Sequence, residues 1–407
     1  MMDNGQLKKG YKRTNVGVIP EEWDCPQLSE ITDIIDGDRG VNYPCQSDFS
    51  HDGSCLFLNA GNVTKEGFKF FECAFINKEK DLSLSKGKLK RGDILLTTRG
   101  TVGNFAFFDE TVEFEQIRIN SGMVIVRIAK ENLNNKYLYM LLRSRIVGTQ
   151  IDRVVFGSAQ PQLTVKVIKK FSIPIPSSQE QRAIATALSD VDALIATLDK
   201  LISKKRAIKT ATMQQLLTGK KRLPGFNGDW KNFAIGDLFE ITAGKDLVKI
   251  RYSDNKDENH PYPIYANSVF DSGLYGYSTF KEYEGDCITV SARGTLGVAF
   301  YRPNPFVAIG RLLVLKQKKA INNYFVSELI NHRIEFASES TGVPQLTAPQ
   351  IAKYHISLPD IDEQNEIALI LSDMDTEITA LESRRNKTYA IKQGMMQELL
   401  SGRTRLI

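Results

Sequence analysis

Along the second quarter of the chain, apolar residues fall at Ile184, Leu188, Val191, Ile195, Leu198 and Ile202, alternately four and three apart. That spacing is the narrow stripe of a helix that pairs with another helix. The predicted helix runs from about Gln179 to Leu217. Pro174 and Pro176 keep its entry extended, Ser177 and Glu180 have capping-box spacing, and Gly219 followed by Lys220, Lys221 and Arg222 suits its C-terminal end. The stripe returns at Ile367, Leu371, Met374, Ile378 and Leu381, in a second predicted helix over about 361–401, with Asp360 and Glu363 at the capping positions. The second stripe departs from the first where Ile202 is answered by Arg385. Neither helix, about 60 Å long, can bury its stripe alone. The nearest partner of each is the other, and two-fold related flanking domains require them to run antiparallel.

The likeness extends beyond the stripes. Pro161–Leu223 aligns without a gap on Pro344–Leu406 at an offset of 183 residues, with 29 of 63 positions identical. A repeat of this length sets the architecture before any single motif is weighed. The flanking segments read as strands and turns, with strands expected at Asp93–Thr98, Phe105–Phe108 and Met123–Ile128 and a helix at Asn134–Val147. They are related more faintly. Ile31–Gly37 answers Leu238–Gly244, and Arg99-Gly100-Thr101-Val102-Gly103 answers Arg293-Gly294-Thr295-Leu296-Gly297. The arginine lies six residues after Asp93 but seven after Asp286. The expected fold is α+β, with globular domains at 1–177 and 223–360 and helices at 178–222 and 361–407, the helices forming an antiparallel coiled coil in a cyclic pseudo-two-fold repeat.

Composition narrows the classes. With 42% apolar and 25% charged residues the chain reads as an ordinary globular protein, and it holds no apolar run of membrane-spanning length. The polar start, with Lys8, Lys9, Lys12 and Arg13, lacks a signal-peptide core. Five cysteines without Cys-x-x-Cys spacing (Cys25, Cys45, Cys55, Cys73, Cys287) read as free thiols of a cytoplasmic protein, and four scattered histidines give a metal site little support. A net charge of +5 permits an anionic partner without requiring one.

The phrases around the helices carry a resemblance. These are Pro161-Gln162-Leu163 and Pro344-Gln345-Leu346; Ile173-Pro174-Ile175-Pro176 and Ile356-Ser357-Leu358-Pro359; Glu180-Gln181 and Glu363-Gln364; Met213–Gly219 and Met396–Gly402; and the domain starts Trp23–Ile31 and Trp230–Leu238. Over essentially its whole length the chain resembles the DNA-specificity subunit of Type I restriction–modification systems. The resemblance implies two target recognition domains, each reading one half of a bipartite asymmetric DNA sequence. It also implies helices that set the unread spacer. Two modification subunits carrying S-adenosylmethionine would dock on the helices, and a restriction and translocation subunit would join them. The specificity subunit itself has no known active site.

Several residues are candidates for DNA contact. Arg99 and Arg293 open Gly-rich turns between apolar strands, where an arginine can meet phosphate or guanine; the alternative is a hairpin turn with a salt-bridged arginine. Thr98, Thr101, Asn104, Ser291 and Thr295 would share that surface. Asp36–Gly40, with Arg39, and Ala243–Asp246, with Lys245, occupy matching places and read equally as recognition loops or as solvated loops. Tyr262, Tyr265, Asn267, Tyr275 and Tyr277 suit base contact, though strand packing is the commoner use. Gln160, Gln162 and Gln345 read first as hinge hydrogen bonders. The basic run Lys200–Arg222 is a solvated face, or else meets spacer phosphates or a partner subunit. Pro303-Asn304-Pro305-Phe306 lacks the paired prolines of the adenine-methyltransferase motif, and no nuclease pattern or phosphate loop is present. The rival readings are an interaction scaffold that binds no DNA and a concealed nuclease or methyltransferase.

Overall fold

The computed structural model describes residues 7, 9–155, 162–336 and 345–406. The chain forms two compact units, one made of 1–197 with 385–407 and the other of 198–384. Each unit therefore contains part of both long helices, and the end of the chain belongs to the first unit.

The long helices span Ser178–Leu216 and Ile361–Leu399, 39 residues each. In the first unit Asp192 meets Lys392 at 2.5 Å. In the second, Lys209 meets Asp375 at 2.7 Å, Lys205 meets Glu377 at 2.7 Å, and Arg206 pairs with Glu382. Ascending one helix descends the other, so the pairing is antiparallel. Asp192–Lys392 and Asp375–Lys209 are one ion pair made twice, at positions 183 apart in the repeat. Of the basic run Lys200–Arg222, the four residues Lys205, Arg206, Lys209 and Arg222 pair with acids of the second helix.

The stripes do two jobs. Ile184 and Leu188 sit in the first globular core with Met396, Leu399 and Leu400, around Trp23, Tyr137 and Phe171. Ile367 and Leu371 sit in the second with Leu216 and Leu217, around Phe325, Leu329 and Ile356. Ile195, Leu198 and Ile378 are buried farther along, while Val191, Met374 and Leu381 are half-buried. The first positions of each stripe are thus domain core as well as helix seam. Cys25, Cys45, Cys55, Cys73 and Cys287 are all free thiols.

Each globule is built on a four-stranded antiparallel sheet of the same order. In the first unit the strands are Thr32–Asp36, Met123–Ile128, Ile94–Thr97 and Phe105–Phe107, side by side. In the second they are Phe239–Ala243, Leu313–Gln317, Cys287–Val290 and Ala299–Arg302. A second sheet in each unit contains a parallel pair, Cys55–Leu58 with Ile117–Ile119 and Tyr262–Tyr265 with Val307–Ala308. The unequal Asp-to-Arg spacing is absorbed at the strand entrance. Ile94 faces Phe107 as Ile288 faces Tyr301, so the extra residue lies at Asp286-Cys287, where Asp286 has φ +47°. From there to the arginines the two copies keep one register.

Two expectations need correction. The helix expected at Asn134–Val147 is two helices, Asn135–Leu142 and Arg145–Val155. Between them Ser144 turns its hydroxyl to the Leu141 carbonyl at 2.6 Å, and its own carbonyl accepts from Gly148. The capping box at Ser177 is half formed. Ser177 accepts from the Glu180 amide at 3.2 Å, but the Glu180 carboxylate points elsewhere. It is fully buried and receives Arg405 Nε at 2.5 Å, Arg405 Nη2 at 2.8 Å and Trp23 Nε1 at 3.1 Å. The arrangement recurs in the second unit, where Glu363 receives Arg222 Nε at 2.8 Å and Nη2 at 2.5 Å. There Trp230 Nε1 is buried with no hydrogen-bond partner among the described residues. Carboxylate pairing raises the pKa of both arginines.

Breaking a buried pair from one side leaves the other charge uncompensated, at about 3–5 kcal/mol. Glu180 is the fully buried member, whereas Arg405 is partly exposed and also pairs with Glu22, so Arg405→Ala should lower stability by about that amount in urea unfolding. Glu382→Ala, whose Arg206 partner is exposed, should cost under about 1 kcal/mol. Equal effects would show that the buried pair has no special weight.

Candidate nucleic-acid interface

In each main sheet the strand ends gather the candidate residues. In the first unit Asp36, Thr97, Phe105 and Met123 all lie at one end, so the loops 36–40, 98–104 and 119–122 are neighbours. Gly37 makes this possible, since a Cβ there would stand 2.3 Å from the Asn120 carbonyl oxygen. In the second unit the loops 243–246, 291–297 and 309–312 meet in the same way, and a Cβ on Gly244 would stand 2.7 Å from the Ala308 backbone.

The Arg-Gly turns match closely. Gly100 and Gly294 both have φ +72°, which a residue with a Cβ rarely adopts. The Thr97 hydroxyl donates to the Thr101 carbonyl, and the Ser291 hydroxyl donates to the Thr295 carbonyl at 2.5 Å. Thr97, rather than Thr98, is thus the counterpart of Ser291, and both side chains brace the turn from inside. Thr98 is buried, with its hydroxyl on the Gly122 carbonyl at 2.9 Å. Asn104 ties the turn to the Val63 carbonyl at 3.0 Å. Arg99, Thr101, Arg293 and Thr295 are exposed. Gln162 and Gln345 each form a β-bridge with the arginine of their unit. The Gln162 side-chain oxygen, oriented to satisfy both groups, accepts from Arg99 Nε at 3.1 Å and Nη2 at 2.9 Å. Arg293 Nη2 lies 3.4 Å from the Gln345 side-chain oxygen. Gln160 lies outside the described residues.

Arg39 joins this rim in the first unit, held by Asp36 at 3.1 Å and the Ser121 carbonyl at 3.2 Å. A cleft of about 280 Å³ is lined by Asp36, Arg39, Thr98, Gln162, Thr164 and Lys166. Asp38 fastens the loop by accepting from Gly40 N at 2.9 Å, Ser85 N at 2.8 Å and Lys86 N at 3.4 Å. The Gly40 amide is the chief reason its pKa falls from 3.8 to about 2.

The second rim is not a copy of the first. Lys245 is exposed but ion-paired to Glu282 at 2.5 Å, which raises its pKa. Asn267 is committed twice, donating to the Gly310 carbonyl at 2.5 Å and accepting from Ala292 N at 2.7 Å. Tyr265 lies under the guanidinium of Arg302, whose carbon is 3.5 Å from the ring centroid. Burial draws the Arg302 pKa down to about 10. Tyr277 sits on a strand of the second sheet, opposite Pro263 and Ser253, rather than on a rim loop. Asn267 and Tyr265 are therefore internal braces. Phe306 of the methyltransferase-like phrase is fully buried and stacks on Tyr283.

A family model described as the Type I restriction modification DNA specificity domain matches residues 20–205 and again 227–388. The chain belongs to this family. One similar protein, assigned in Methanocaldococcus jannaschii as the MjaX specificity subunit of a type I restriction enzyme, is 25% identical over 98% of this chain and 97% of its own. Among solved structures, the S subunit of a Type I restriction–modification system from M. genitalium aligns over 98% of this chain and 99% of its own, with 16% identity and a TM-score of 0.64. A chain from structural work on complex assembly and conformational transition of the type I system aligns over 95% and 99%, with 15% identity and a TM-score of 0.55.

Both specificity domains thus carry an exposed arginine on a braced turn at the same sheet end. Lys166 and Arg311 also belong to the rims, yet no spacing singled them out. For Arg311 a signal existed: Gly310-Arg311 precedes an apolar strand much as Ser121-Gly122 does, and Arg311 holds φ +69°. Among the described residues, no helix is long and apolar enough to cross a membrane.

A lowered carboxyl pKa stabilises above the ordinary value and loses that contribution as pH falls through the folded value. The Asp38 fastening should therefore be intact above about pH 4 and lost towards pH 2. Asp38→Ala should speed hydrogen exchange of the Gly40, Ser85 and Lys86 amides at neutral pH while the sheet keeps its protection. Unchanged exchange there would contradict the assigned role.

Proposed function

We propose that each specificity domain reads one half of a bipartite, asymmetric DNA site through the loops at the end of its main sheet. The paired helices set the length of the unread spacer and dock two modification subunits, which hold S-adenosylmethionine and methylate adenine. Restriction and translocation subunits join through that complex. The chain contributes recognition and has no catalytic residues of its own. One observation carries this reading: the same rim is built twice on the same scaffold, with an exposed arginine retained in both and most other rim residues different. A shared frame with different contents is what two half-sites of different sequence require, because base edges are read by side chains while the frame only positions them.

The test is methylation of a DNA library by the chain with its modification subunits and S-adenosylmethionine. One bipartite motif should emerge. Binding of the modification subunits without any motif would favour a scaffold, and methylation by the chain alone would overturn the non-catalytic reading. Exchanging residues 24–160 for another recognition domain should change one half of the motif only. Arg99→Ala should weaken DNA binding by about 1–3 kcal/mol and relax bases in one half, and Arg293→Ala should do so in the other. If either substitution relaxes both halves, the assignment of one domain to one half-site fails.

A further inference from the structure

The loop 266–273 holds more constraint than its fold needs. It is closed by a hydrogen bond from Ala266 N to the Gly273 carbonyl at 2.9 Å. Asp271 and Ser272 both take left-handed backbone, at φ +48° and +49°. Two adjacent residues with side chains rarely do so, and such strain persists only where surrounding contacts over-determine it. Those contacts are present. Arg302, almost fully buried, donates to the Ser272 carbonyl at 2.5 Å and to Thr289 Oγ1 at 2.9 Å while stacking on Tyr265. Asn267 couples the loop to the backbone of Ala292, next to Arg293, and of Gly310, next to Arg311. At the tip stands Phe270, 84% exposed, with its amide fixed on Ser268 Oγ at 3.1 Å.

A single exposed apolar side chain is ordinary. A strained loop, pinned by a buried guanidinium and tied to the backbone next to an exposed arginine, that presents an aromatic ring to water is not. The first unit has a comparable device. Phe71 is 87% exposed on a loop whose Lys69 and Glu72 carbonyls both receive the buried Asn62 amide at 3.1 Å. The hairpin leading into that loop is joined through Val63 to Asn104 of the Arg99 turn. Both loops lie between the strand that pairs in parallel within the second sheet and that strand's antiparallel neighbour, with a hairpin intervening before the Phe71 loop.

We propose that Phe270, and Phe71 in the other domain, insert against a base step of the bound duplex and unstack it. This rests on the DNA-reading function proposed above. Apolar wedges of this kind gain contact by partly opening a step, and a ring held rigid before binding loses little freedom on insertion. The specificity contributed would come from how readily a step deforms rather than from its base edges.

The test uses the chain assembled with its modification subunits and duplexes carrying the motif found by methylome sequencing. 2-Aminopurine is placed at each step of one half-site in turn. Apart from the adenine that the modification subunits extrude for methylation, wild type should raise the fluorescence of one further step in each half. Phe270→Ala should abolish the rise in the half read by the second domain only, and weaken binding about tenfold. Phe270→Trp should retain both effects. An abasic site at that step should restore Phe270→Ala binding, since the cost of unstacking is already removed. Phe71→Ala should do the same in the other half. If wild type binds the motif with no rise beyond that at the methylated adenine, or Phe270→Ala leaves the further rise and the affinity unchanged, the wedge is refuted while DNA reading stands. If wild type binds no motif, DNA reading fails first and the wedge with it.

Discussion

The structure depends on a buried glutamate at the start of each long helix and an arginine beyond the end of the other. Glu180 is fully buried, and Arg405, close to the chain end, supplies its counter-charge. Glu363 is nearly as buried, and Arg222 supplies its own. A carboxylate in such a position is tolerated only when paired and hydrogen-bonded, so neither globule is complete until the far end of the other helix reaches it. The apolar contacts say the same, since Met396, Leu399 and Leu400 belong to the first core and Leu216 and Leu217 to the second. Antiparallel pairing of the helices follows from this closure, and the repeated Asp–Lys pairs then fix their register.

That constraint separates what is preserved in the chain from what has drifted. Residues that close the units, such as Glu180 and Glu363, Arg222 and Arg405, or Asp192 and Asp375, are identical between the repeats. Rim residues, apart from the arginine turns, are not: Arg39 answers an acid and a backbone carbonyl, whereas Lys245 answers Glu282. The sheet ends form a frame on which side chains change without disturbing either core. This is the physical basis for a specificity protein whose two domains share a scaffold and differ in content.

Much of this was legible in the sequence because it is periodic or local. The stripes, the strand Met123–Ile128, the strand expected at Phe105–Phe108 and found at Phe105–Phe107, and the Arg-Gly turns needed only short-range pattern. What was not legible depends on partners far along the chain. The Glu180 carboxylate reads as a capping group until Arg405, 225 residues on, takes it. Asn267 and Tyr265 read as base-contacting residues until Gly310 and Arg302 claim them. The Arg-Gly alignment already sets Thr97 opposite Ser291, but that their hydroxyls close the turn on the Thr101 and Thr295 carbonyls is visible only in the fold. The break at Ser144 came from a side-chain hydrogen bond that competes with the helix.

The central claim, that the end of the chain completes the first unit, is tested most directly by a chain ending at Arg384, followed by hydrogen-exchange mass spectrometry. The account predicts that protection collapses in residues 20–155, around Trp23 and Tyr137, while residues 224–336 exchange as in the full chain. Equal protection of both segments in the shortened chain would contradict it.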